Sequence, residues 1–214
     1  MDSYILWDPN DTKGAITREE VEIMQKELEE KYGKTCYLID IDCYDSFVAE
    51  FNDIGSNGKS IDAVVLNFHG NYNRLAFTGS DGKVQSRRFT TNDMGDITNR
   101  KAMDALIFVS CKAGDGSQGD TIANAFAKLT DKSGKATINV VIASDGDGRT
   151  KATTERYGIL WLKKRTYVRV TADANPNGYK VYWKSVGTPA NIGTSFNGLG
   201  ELIDAAKAAK KNKR

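Results

Sequence analysis

Two short stretches of the chain are apolar at nearly every position: Ala63-Val64-Val65-Leu66-Asn67-Phe68 and Ala105-Leu106-Ile107-Phe108-Val109-Ser110. A strand covered on both faces of a parallel sheet needs such a run. Cys36 to Ile41 and Ile138 to Ala143 read as further strands of this kind, and Tyr4 to Trp7 as a short first one. Helical spacing fills the gaps between them. Thr17 and Glu20 form a capping box, Val21, Met24, Leu28 and Tyr32 follow at helical intervals, and Gly33 stops the helix. Phe47, Val48 and Phe51 predict a short helix over Asp45 to Asn52. Further helices are expected over Asp93 to Met103 and over Ser117 to Leu129, the second with Ile122, Ala125, Phe126 and Leu129 inward.

Alternation with period two marks the remainder. Asp81-Gly82, between Leu75-Ala76-Phe77 and Val84 to Phe89, predicts a hairpin after the third strand. Tyr167 to Thr171 and Tyr179 to Trp183 alternate around the turn residues Asn175-Pro176-Asn177-Gly178, which predicts an antiparallel hairpin appended to the parallel sheet. A last helix, rich in alanine and lysine, is expected from Leu199 to Lys211. Strand and helix thus alternate through most of the chain, the pattern of an α/β fold with a mostly parallel sheet and helices on both faces. No repeat or linker interrupts it. The expectation is one domain over 1–214, with a core over about 4–165 and the hairpin and final helix over about 166–214.

Composition narrows the function without naming it. The 214 residues are enough for one good-sized core, and 40% hydrophobic with 27% charged residues is ordinary for a globular protein. A net charge of +2 gives no electrostatic case for nucleic acid. The basic residues Lys207, Lys210, Lys211, Lys213 and Arg214 read as a solvated helix end. No segment has the length and apolarity to span a membrane, and the start lacks the pattern of a signal peptide, so the expectation is a cytoplasmic protein or a domain excised from a longer one. Three cysteines at unrelated spacings argue against a disulfide framework, and one histidine without a Cys-x-x-Cys pair argues against zinc.

The chemistry lies where the two apolar runs end. The first leads into His69-Gly70, the single histidine of the chain, and the second into Cys111. Reactive groups of open α/β sheets lie just beyond the carboxyl ends of the strands. The interval between the two residues is long enough for a crossover that returns to a neighbouring parallel strand. An imidazole would then stand beside a thiol, the minimum for a cysteine nucleophile. Gly70 permits close approach of the backbone, and the amides of Gly70 and Cys111 could hold the oxyanion of a tetrahedral intermediate. Cys36 and Cys43 read as small buried side chains. The glycines after Cys111 lack the Lys-Ser/Thr of a phosphate loop.

An apolar run ending in His-Gly, followed by an apolar run ending in a small residue and Cys, resembles the caspase-like cysteine peptidases of clan CD. The resemblance spans Tyr4 to Ser144 and is nearest in pattern to the CHAT-like and gingipain-like proteases and to the autoprocessing domains of large bacterial toxins. It implies a caspase-like three-layer sandwich, a cysteine endopeptidase acting on polypeptides, a His69–Cys111 dyad, and an oxyanion hole from Gly70 and Cys111. It implies a polypeptide substrate as the partner and, as one setting, a domain delivered as part of a secreted toxin; the charge balance and the lack of an apolar span give no expectation of nucleic acid or membrane, and the oligomeric state is open.

The same resemblance locates a specificity pocket and shows where this chain departs. Some relatives carry an acid two residues before the cysteine; here that position is Val109, closer to the toxin domains that favour leucine before the cut. Ser144, Asp145 and Asp147 follow the fifth strand, where relatives line the pocket, and either aspartate could recruit a basic side chain. No cofactor or metal is expected for the chemistry itself. An activator is conceivable: calcium on the loop acids Asp115, Asp120, Asp145 and Asp147, or an inositol phosphate on Lys163, Lys164, Arg165, Arg169, Lys180 and Lys184, which fall where the toxin domains carry a regulatory flap. Two other readings fit the same residues, a non-catalytic binding module of caspase-like or flavodoxin-like fold and a cysteine-dependent acyltransferase.

Overall fold

The computed structural model describes residues 2–11, 17–56, 58, 60–118, 120–157, 163–172, 178–183 and 189–213. The chain begins with β1 (Asp2–Trp7), α1 (Arg18–Tyr32), β2 (Cys36–Asp40), α2 (Tyr44–Asp53) and β3 (Ile61–Asn67). Three short strands follow, β4 (His69–Asn71), β5 (Arg74–Ala76) and β6 (Phe89–Thr90), then β7 (Met103–Phe108), α3 (Ile122–Ala127) and β8 (Ile138–Ser144). The last third holds β9 (Gly148–Tyr157), β10 (Lys163–Ala172), β11 (Tyr179–Tyr182), β12 (Ala190–Gly193), β13 (Ser195–Asn197) and α4 (Leu199–Asn212).

A seven-stranded sheet in the order β12-β11-β8-β7-β3-β1-β2 forms the centre. Strands β2, β1, β3, β7 and β8 are parallel, and β11 and β12 extend the sheet antiparallel beyond β8. Every residue of β3 is buried, because the sheet carries helices on both faces. Phe47 and Phe51 of α2 and Phe126 of α3 pack on Leu66, Leu106 and Phe108 from one side. Val21, Met24 and Leu28 of α1 and Leu202, Ile203 and Ala206 of α4 pack on Val65, Ile107 and Ile142 from the other. The result is a mixed α/β fold in three layers. Two small three-stranded sheets, β13-β10-β9 and β4-β5-β6, are added to it. Among the described residues no helix is long and apolar enough to cross a membrane.

Local chemistry explains where α1 starts and stops. Thr17 accepts from the Glu20 amide at 3.3 Å, and the Glu20 carboxylate accepts from the Thr17 amide at 2.8 Å. Gly33, at φ +64°, closes the last turn through its amide to Glu29 O. The first residue of α4 lacks a cap from its own segment; Glu27 of α1 supplies one, accepting from the Leu199 amide at 2.8 Å. At the far end of α4, Lys207 pairs with Asp104 and Lys210 donates to Asn139 O, so part of the basic tail is tied to the sheet.

Three expected elements take another form. Asp93 to Met103 is a 3₁₀ turn over Thr91–Asp96 followed by extended chain. Side chains replace the helical ladder there: Asn52 accepts from the amides of Thr98 and Asn99, while Asn99 donates to Phe51 O and Ile54 O. Ser117 to Leu129 is broken, because Thr121 accepts from the Asn124 amide and starts a new helix inside it. Ala125 and Leu129 are only half-buried, and Ala123 and Ala127 take inward places instead. The strands at Tyr167 to Thr171 and Tyr179 to Trp183 do not pair with each other. β10 forms its hairpin with β9 over ten residue pairs, and β11 joins the main sheet beside β8. Strand β9 (Gly-Arg-Thr-Lys-Ala-Thr-Thr-Glu-Arg-Tyr) shows no apolar alternation, so its pattern gave no sign of a strand. Asn175, Pro176 and Asn177 lie outside the described residues, as does Lys184.

Candidate active site

Adjacent strands deliver the histidine and the cysteine to the same end of the sheet. β3 and β7 pair in parallel with Leu66 opposite Phe108, and the Val109 amide extends the ladder to Leu66 O at 2.9 Å. His69 and Cys111 each stand the same distance along the chain past that last pair. Both line one cavity of about 220 Å³, together with Asp11, Glu20, Asn67, Val109 and the Gly148-Arg149-Thr150 start of β9.

The backbone around Cys111 is held on three sides. Lys112 sits at φ +56°, the one non-glycine in the left-handed region among the described residues. That turn sends the Lys112 amide to Gly146 O and the Gly114 amide to Ser144 O, both at 2.8 Å. Gly114 passes so close to β8 that a Cβ would lie 3.1 Å from two carbonyl oxygens. Ser144 then donates its hydroxyl to Ser110 O at 3.0 Å. The Cys111 thiol points at Gly148 O, 3.7 Å away. Burial and the Asp147 carboxylate push this thiol up, and the cations of Lys112 and Arg149 pull it back towards the thiolate. Cys36 is unlike it, fully packed, with burial pushing its thiol up to about 12. The Cys43 sulfur caps α2 by accepting from the Ser46 amide.

His69 opens β4 and pairs with Ala76 of β5. Its Nε2 lies 2.9 Å from Oδ2 of Asp11, whose side chain is only 4% exposed while that of the imidazole is 40% exposed. Asp11 was not among the residues the sequence singled out. Its place in the loop after β1, next in the sheet to β3, is the signal that could have found it. Asp8 fixes the same loop by accepting from the amides of Thr78 and Asn10. Gly70 sits against the cysteine loop, where a Cβ would lie 2.8 Å from Arg74 O and 3.1 Å from the Ser110 side chain.

The expected pocket residues separate. Val109 lines the cavity. Ser144 and Asp145 are buried behind the loop and do not line it. Asp145 is 2.7 Å from Lys180, with side chains 0% and 13% exposed, so it is committed to an internal ion pair and offers no charge to a substrate. Asp147 is half-exposed and faces Lys112 at 3.8 Å. The acids suggested for calcium are likewise engaged: Asp115 by Ser117, Asp120 by Lys128 and Asn124. Among the described residues no group of three His, Cys, Asp or Glu side chains could hold a metal ion. Of the suggested polyanion ligands, Lys163, Lys164, Arg165 and Arg169 lie on β10, where Arg169 faces Glu155, while Lys180 lies on β11 in the main sheet and pairs with Asp145.

No protein-family model matches the chain, and no curated protein matches it.

Proposed function

We propose that the chain is a cysteine endopeptidase on a caspase-like scaffold, with Cys111 as nucleophile and His69 as its acid/base partner. One observation carries the reading: the single histidine and a partly exposed cysteine leave adjacent parallel strands at equivalent positions and line one cavity. Thiols that only fill space are packed like Cys36, without a neighbouring imidazole.

The chemistry follows from the groups present. The Cys111 thiol gives up its proton to His69, and Sγ attacks the carbonyl carbon of the scissile peptide bond. Negative charge develops on the carbonyl oxygen. The Cys111 amide has no partner among the described residues. The Gly70 amide is the second donor. Asn71 and Arg74 close the two-residue turn Tyr72-Asn73, so bonded and unbonded pairs alternate back along β4 and turn the Gly70 N–H away from β5. His69 protonates the departing amine as the C–N bond breaks, leaving a thioester on Cys111. Water then adds to the thioester as His69 accepts its proton, the C–S bond breaks to release the acid, and His69 returns that proton to the Cys111 thiolate.

A peptide carrying a thiol-reactive group tests the reading. Labelling at Cys111 that disappears in His69→Ala, together with cleavage of a peptide library, is the expected result. A folded protein with no labelling at any pH would remove the dyad and leave a binding module. Labelling with acyl transfer to an amine and no hydrolysis would make it an acyltransferase.

A further inference from the structure

The net charge of +2 conceals an uneven distribution. β9 and β10 pair over ten positions, and the two halves of this ribbon differ. Near its base, Val168 and Val170 pack on the core. Towards its end, Thr154 to Tyr157 pair with Lys163 to Thr166, and all eight residues are exposed. Four pairs at the rise of a strand carry the ribbon about 13 Å beyond the buried Tyr167. Two strands without a covered face are only marginally stable in water. Charge works against this pair as well, because Arg156 stands directly opposite Lys164. The one acid of this half, Glu155, is taken by Tyr167 and Arg169. Arg156, Lys163, Lys164 and Arg165 have no ion pair among the described residues. An anionic partner is what such a ribbon lacks.

The placement of the cations narrows the partner. Opposed residues share a face and successive ones alternate, so Arg156 and Lys164 lie on one face, Lys163 and Arg165 on the other. A small polyanion reaches one face at a time, whereas a bilayer surface that receives the ribbon end-on meets both. Tyr157, 49% exposed in the last pair, is a residue type of membrane interfaces. The sequence that joins it to Lys163 is Gly-Ile-Leu-Trp-Leu, apolar and uncharged, and such a stretch between basic residues has the composition of segments that enter a bilayer interface. We propose that the exposed half of the β9–β10 ribbon docks end-on on an anionic phospholipid surface, through Arg156, Lys163, Lys164, Arg165 and Tyr157. This docking is independent of the Cys111–His69 reading.

Sedimentation of the full chain with phosphatidylcholine vesicles that contain or lack phosphatidylserine tests the docking. Binding to the anionic vesicles that weakens as salt rises, with little binding to the neutral ones, is expected. Lys163→Gln with Lys164→Gln should weaken it by about twentyfold or more, at about fivefold per cation. Tyr157→Ser should weaken it with the salt dependence unchanged. Lys34→Gln with Lys132→Gln removes the same charge elsewhere and should change it little. All of these positions are exposed, and an unchanged urea midpoint verifies the fold of each variant. Absence of binding to the anionic vesicles, or equal losses in the two double variants, would overturn the ribbon as the docking element. Tighter binding to a DNA duplex than to the vesicles, lost in the Lys163 and Lys164 variant, would overturn the membrane and make the ribbon a nucleic-acid surface.

Discussion

The Nε2 of His69 lies 2.9 Å from the carboxylate of Asp11, a side chain almost wholly shielded from water. A shielded carboxylate this close to the ring restricts where the imidazole sits at the edge of the cavity, and so acts through the histidine rather than on a substrate. Asp11 therefore acts as a positioning residue. Asp11→Ala is expected to lower kcat by about ten- to a hundredfold, within the range that general acid–base assistance supplies, with KM little changed. Steady-state kinetics on a cleaved peptide separates the two parameters. A rise in KM with kcat intact would place Asp11 in substrate binding instead.

The charges facing Cys111 set a second expectation. Burial and Asp147 both hold the thiol up, while Lys112 and Arg149 oppose them. Removing the Asp147 carboxylate takes away a repulsion felt only by the thiolate, so Asp147→Asn should move the thiol down and make Cys111 react faster at neutral pH. Lys112→Gln should do the opposite. Iodoacetamide alkylation rates across pH, with Cys111 followed by peptide mass, give the sign directly. Parallel shifts in both variants would mean that the two charges do not act on the thiol.

Much of the scaffold could be read along the chain because its cause is local or periodic. β3 and β7 announce themselves by apolar runs, and α1 carries its capping box and glycine stop in sequence. What escaped depends on contacts between distant residues. Asp11 looks like any turn acid until the loop after β1 brings it to His69. β9 is polar throughout, since it pairs along β10 away from the main core. Asp145 resembled a pocket acid because its partner, Lys180, belongs to a strand whose place beside β8 no periodicity reveals.

That internal pair yields a third expectation. Lys180 and Asp145 are both nearly out of water, so the pair itself adds little to stability, but either charge left alone is costly. Lys180→Met should destabilise by about 3–5 kcal/mol, and Lys180→Met with Asp145→Leu should recover much of that loss. Urea unfolding measures both. Because Asp145 lies behind the Cys111 loop, the single variant should also slow probe labelling, and the double variant should restore it. Equal stability of the single variant and wild type would show that Asp145 finds another partner.

Glu27 offers a pH-dependent test of how α1, α4 and β10 are joined. Its carboxylate accepts from the amides of Leu199 and Val168, each at 2.8 Å. Burial pushes the carboxyl up, and outweighs the two amides and Arg165 that pull it down. The folded state thus binds a proton more readily than the unfolded chain. Between the ordinary carboxylate value and the raised one, the folded form holds more protons, so stability falls as pH rises through that interval and is level above it. Glu27→Gln removes the titration and should flatten this slope. The wild-type advantage over Glu27→Gln should then be larger in mild acid than at neutral pH. Glu27→Ala leaves two amides without their acceptor and should cost about 1–3 kcal/mol at neutral pH, with faster hydrogen exchange at Leu199 and Val168. Denaturant unfolding of the three proteins at several pH values reads all of this. A wild-type minus Gln difference that is constant with pH would show that Glu27 does not titrate across the transition.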